Sequence, residues 1–168
     1  HRMDFQGTVV GGLSGIDYDP ASGLYAMVSD DRSQRNPARF YTAHIPITAS
    51  ALGTPVLHSA TPLLQADGRP FPSNRRAQPH EEVPDPEAIR WLPNGNLLWT
   101  SEGSVTRGMG PALHESQADG RLVRSFALPS MFDANLGGGT GPRDNQALEG
   151  LALTPDGRTA WLAMEDAL

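Results

Sequence analysis

One pattern constrains this chain more than any other: a hairpin motif that occurs three times. The copies begin at Ser14, Glu87 and Glu149. Each opens with a short strand running into Pro20, Pro93 or Pro155 and turns at Ser22-Gly23, Asn94-Gly95 or Asp156-Gly157. Each then returns along a second apolar strand that ends at an acid, Asp30, Glu102 or Glu165. Tight turns of this kind need residues that tolerate positive φ, which Gly, Asn and Asp supply. The copies are spaced more widely than compact repeats, so loop insertions are expected between them.

The intervening sequence supplies further strands. Residues 39–45 and 55–59 read as the third and fourth strands after the first copy. Residues 112–116 and 122–128 do the same after the second, with a turn at Ala118-Asp119-Gly120. Regular short strands with turn signals predict an all-β fold, a β-propeller of four-stranded blades. The chain then covers about two and a half blades of a larger ring: blade one about 11–64, blade two about 84–130, and an incomplete third about 145–168. The opening Phe5-Gln6-Gly7-Thr8-Val9-Val10 is expected to be the outer strand of a further blade. An open ring exposes strand edges and sheet faces. Remaining blades, from the rest of the protein or from another chain, are therefore expected partners.

Composition narrows the choice. Gly 18 and Pro 15 are too many turn-formers for a helical bundle, and no segment keeps a 3.6-residue period for long. No apolar run is long enough to span a membrane, and His1-Arg2-Met3-Asp4 does not open a signal peptide. The absence of cysteine excludes disulfides, zinc–thiolate sites and thiol nucleophiles. A net charge of −6 leaves no basic footprint for nucleic acid. Arg69, Arg75 and Arg76, set among Pro70, Pro72 and Pro79, read as a solvated loop.

Aligning the copies superimposes Ser14, Glu87 and Glu149 at the start of the first strand, and Asp30, Glu102 and Glu165 at the end of the second. Antiparallel pairing brings each start beside each end, giving the pairs Ser14 with Asp30, Glu87 with Glu102, and Glu149 with Glu165. Inner strands of blades line a central channel, so the pairs are expected at one of its mouths. Like carboxylates at such range demand a proton or a cation. Oxygen-only ligands suit a hard ion, and calcium is the expected cofactor, held by Asp30, Glu87, Glu102, Glu149 and Glu165. Glu87 and Glu149 are the candidate catalytic acids. Arg32, Arg35 and Arg90 lie near them in sequence and suit bidentate clamping of phosphate, with Arg32 and Arg90 taken as site residues. The same acids also suit a structural role, accepting backbone N–H groups of a neighbouring blade.

Other features read as structural. Ser14 lacks the Gly-x-Ser-x-Gly elbow of a serine nucleophile. His80-Glu81-Glu82 with Asp85 reads as a solvated Pro-rich loop, and His44 and His58 as packed or exposed. Trp91, Trp99 and Trp161 read as packing between blades. The Gly137-Gly138-Gly139-Thr140-Gly141 run reads as a flexible loop, since it lacks the lysine of a phosphate-binding loop.

Several motifs carry a resemblance: Leu13 to Ile16, Asp85 to Ile89, Asn145 to Ala152, and Thr154 to Gly157, with Ser29 to Arg32 and Arg39 to Tyr41. From about residue 11 onward the chain resembles the phytase-like family described by "esterase-like activity of phytase". The resemblance implies a propeller, a periplasmic or secreted location, and hydrolysis of phosphoesters or related esters. Two other functions fit the residues: a non-catalytic propeller that binds a ligand or protein partner, and a metal-dependent sugar-lactone hydrolase.

Overall fold

The computed structural model describes residues 3–135, 137 and 139–168. The described residues form an all-β structure of antiparallel sheets, and their only helices are two short 3-10 turns, Val105–Arg107 and Ser130–Phe132. β1 (Met3–Phe5) and β2 (Thr8–Val10) form a hairpin. A first four-stranded sheet has the order β3-β4-β5-β6, with β3 (Leu13–Asp19), β4 (Leu24–Ser29), β5 (Arg39–His44) and β6 (Val56–Pro62). A second runs β7-β8-β9-β10, with β7 (Pro86–Trp91), β8 (Leu97–Ser101), β9 (Ala112–Ser116) and β10 (Leu122–Phe126). β11 (Leu148–Leu153) and β12 (Ala160–Met164) form the third sheet, of two strands.

The turns inside the three repeats fold as their sequences require. Gly95 and Gly157 take φ of 81° and 65°, a region that costs a side chain but not glycine. Strand alternation then assigns each sheet two packing faces. One face of the first sheet, with Val28 and Phe40, meets Ile89, Leu97 and Trp99 of the second. The opposite face of the second sheet, with Ala88, Leu98 and Leu113, packs on Leu151, Leu153 and Leu162 of the third. The first strands of the repeats are neighbours in series, β3 against β7 and β7 against β11. The approach is close: a Cβ on Gly15 would lie 2.8 Å from both the Ala88 Cα and the Glu87 carbonyl oxygen.

Two expectations are corrected. Residues 5–10 are not one outer strand. Gln6 and Gly7 take φ of 47° and 76°, which reverses the chain into the β1–β2 hairpin. That hairpin seats Phe5 and Val10 on Met27, Tyr41 and Ala43, the outer face of the first sheet. Trp161 does not pack between sheets: it is 67% exposed, on the face of β12 turned away from the second sheet. Trp99, by contrast, is fully buried and donates its indole N–H to Ser116 Oγ at 3.0 Å, and Trp91 packs on the same core. Arg69, Arg75 and Arg76 are exposed, as are His44 and His58. In the glycine run, Gly138 lies outside the described residues. Among the described residues, no helix is long and apolar enough to cross a membrane.

Candidate carboxylate site

Each first strand breaks its pairing at the position where the repeats place a functional residue. The register shifts between Leu13 and Gly15, between Pro86 and Ile89, and between Leu148 and Gly150. The residues caught in these bulges are Ser14, Glu87 with Ala88, and Glu149. A bulge inserts an unpaired residue and re-aims its side chain. Beyond each bulge, the acid ending the second strand is fixed in the same way every time. The Asp30 N–H donates to Gly12 O at 2.8 Å, Glu102 N–H to Asp85 O at 3.0 Å, and Glu165 N–H to Ala147 O at 2.8 Å.

The carboxylates consequently converge. Asp85, Glu87 and Glu102, all buried, present oxygens within 4.8 Å of one another. Glu102, Glu149 and Glu165 do the same, so Glu102 belongs to both groups. A cavity of about 990 Å³ opens beside them, lined by Ser14, Asp30, Arg32, Arg35, Asp85, Glu87, Asn145 and Glu149, among others. Asp30 lines this cavity without joining either carboxylate triad. Arg32 donates to the Asp85 carboxylate and to Asn145 Oδ1. Glu102 also accepts the Ala147 N–H, which ties the second sheet to the start of β11.

The loop carrying the arginines is built by Asp31. Its carboxylate accepts the N–H groups of Gln34, Arg35 and Asn36 at 2.9, 3.1 and 3.0 Å, and Arg39 Nη1 at 2.9 Å. Burial would raise its pKa, but these donors outweigh it and hold Asp31 below the usual carboxylate range. Arg35, exposed, faces the cavity from this loop. Arg90 does not line it; its guanidinium donates to the Ile16 carbonyl at 3.0 Å and the Ile89 carbonyl at 2.6 Å.

Charge in the cluster is out of balance. Burial, reinforced by the charges of Asp85, Glu149 and Glu102, pushes Glu87 up to about 8, against a hydrogen bond from Ser14. Burial pushes Glu102 up to about 7, against the Ala147 N–H, with Asp85, Glu149 and Glu165 adding repulsion. Asp85 is also raised by burial, despite the Arg32 guanidinium. Burial and then the Glu165 charge raise Glu149. Burial opposes the charge on Arg32, but its bond to Asp85 and the surrounding carboxylates strengthen it. One paired guanidinium does not neutralise this many acids, and the donor set is oxygen alone. Both facts fit a hard divalent cation.

Of the acids that the repeat alignment singles out, Glu87, Glu102, Glu149 and Glu165 are brought together. Asp85 and Asn145 are participants that sequence reasoning passed over. Asp85 is not solvated but buried, one residue before β7. Its signal was its place opposite Glu102, matching Gly12 opposite Asp30. His80 is exposed, Glu81 accepts the Gln78 N–H at 2.9 Å, and Glu82 turns to His114, so these three do not extend the cluster. A family model described as "Phytase-like: Esterase-like activity of phytase" matches residues 8–168. No curated protein and no solved structure matches the chain.

Proposed function

Since this chain belongs to the phytase-like family, we propose that it is a hydrolase of phosphoesters or related esters, acting at the carboxylate site with calcium. The observation that carries this reading is the pair of carboxylate triads sharing Glu102 beside an open cavity. Glu87, Glu102, Glu149, Glu165 and Asp85 would hold the ion, with Asp30 at its margin. Calcium, when bound, supplies the positive charge that an anionic ester needs in so acidic a cavity.

The chain's own groups do the rest. Arg35 reaches the cavity from the Asp31 loop and suits an anionic oxygen, while Arg32 is committed to Asp85 and Asn145 and acts as a fixed charge behind the carboxylates. Arg90, bonded to backbone carbonyls away from the cavity, is left to hold β7 against β3. Glu87, buried among the acids and ionised once calcium is bound, would hold the ion and is suited to accepting a hydrogen bond from an attacking water. Glu149, exposed on the cavity, is suited to taking one from an attacking water.

The stacked sheets, with first strands in series, support a β-propeller whose further blades come from elsewhere in the protein or from a second chain. A periplasmic or secreted location rests on family membership. The test is hydrolysis of phosphomonoesters, phytate, carboxylic esters and lactones, with and without calcium, by the wild type and by Glu87→Gln and Glu149→Gln. Calcium-dependent turnover lost in both folded variants is the expected result. No turnover on any substrate by the folded wild type would instead favour a binding module, and lactone-selective turnover a sugar-lactone hydrolase.

A further inference from the structure

Three side chains outside the carboxylate site, drawn from separate segments, form a chain of hydrogen bonds. His114 on β9 is 1% exposed. Its Nε2 lies 2.7 Å from Glu82 Oε1, and its Nδ1 lies 2.8 Å from Ser125 Oγ. A carboxylate only accepts hydrogen bonds, so in the neutral imidazole Nε2 carries the ring hydrogen. Nδ1 is left with a lone pair aimed at the Ser125 hydroxyl. None of the three residues lines the 990 Å³ cavity.

The ring is held rather than merely enclosed. It lies against Trp99 with centroids 4.4 Å apart and against Phe71 at 6.4 Å. Ser125 and His114 are direct cross-strand partners on β10 and β9, so sheet register sets their separation. β10 is the edge strand of its sheet, and Ser125 is exposed there. A buried base, an orienting carboxylate behind it and an accessible hydroxyl in front meet the geometric test for an activated nucleophile.

We propose that Ser125 is the nucleophile of a second site that hydrolyses carboxylic esters, with His114 as its base and Glu82 as the group positioning that base. Ser125 Oγ bonds to the ester carbonyl carbon as its proton passes to His114 Nδ1. The carbon–alkoxy bond breaks, and the alcohol leaves with that proton. Water then attacks the acyl carbon, giving a proton to Nδ1. The bond to Oγ breaks, and Ser125 recovers the proton, so ester and water become acid and alcohol. This chemistry uses no metal and is independent of the reading proposed for the carboxylates.

The intact chain is treated with an alkyl fluorophosphonate probe, with and without a calcium chelator, and the modified peptide is mapped. Label on Ser125 that persists in chelator is expected, together with its loss in Ser125→Ala. In Glu82→Gln, shown to be folded by circular dichroism, labelling is expected to slow by about tenfold or more. Absence of label on Ser125 in the folded wild type overturns the proposal, as does an unchanged rate in Glu82→Gln, the outcome for a histidine that is only packed. Chelator-insensitive labelling beside a flat calcium assay would retain this site and remove the carboxylate reading; the reverse would do the opposite.

Discussion

Glu87 and Glu102 ionise in the folded chain only at about pH 8 and about pH 7, against 4.5 for an ordinary glutamate. Below that ordinary value both folded and unfolded states keep the protons, and the acids cost nothing. As pH rises the unfolded chain ionises first, so the stability present at low pH is lost progressively up to the folded values. The thermal midpoint of the calcium-free chain is therefore expected to fall between about pH 5 and about pH 8, measured in matched low-salt buffers. Calcium should flatten that fall by favouring the ionised carboxylates, and a midpoint that climbs across the window would contradict the charge balance described. Glu102 is the carboxylate common to both triads. Glu102→Gln should thus weaken calcium binding more than Glu165→Gln does, a ranking that titration calorimetry reads directly.

Among the elements, the close contact of β3 with β7 constrains how the first two sheets stack. Gly15→Ala places a methyl group 2.8 Å from backbone atoms that have no rotamer to yield. Its expected cost is about 1–3 kcal/mol, seen as a lower urea midpoint. Trp99→Ala empties the centre of the same interface and should cost about 3–5 kcal/mol. The strands themselves were legible in the sequence because turn residues and alternation are local signals; β4, β5, β9 and β12 fall where the pattern puts them. The β1–β2 reversal was missed because Gln6 is an unusual residue for a left-handed turn position. The pairing of acids followed from aligning the copies. Asp85 did not, because its flanking prolines suggested a solvated loop, and only the tertiary fold seats that stretch beneath Arg32. The Ser125–His114–Glu82 contact was invisible for a similar reason: its members are brought together by strand register and a loop path that no short motif encodes.

Across the whole molecule, the two ends of the stack differ in cover. The hairpin shields part of the first sheet, leaving Ile16 and Tyr18 49% and 47% exposed, while the third sheet presents Trp161. Acrylamide should therefore quench a fluorescence component that Trp161→Phe removes, and the proposed further blades should suppress that quenching by covering β12. Backbone hydrogen exchange should be faster in β12, with no partner beyond it among the described residues, than in β8 at the centre of its sheet. The three bulges have a different kind of consequence. At these points a strand carries a residue that its partner does not count, so the pairing on either side is indifferent to what that residue is. Each repeat thereby owns an interchangeable socket, filled by serine in one copy and by glutamate in two, and new reactivity can be fitted there without rebuilding the walls that hold it.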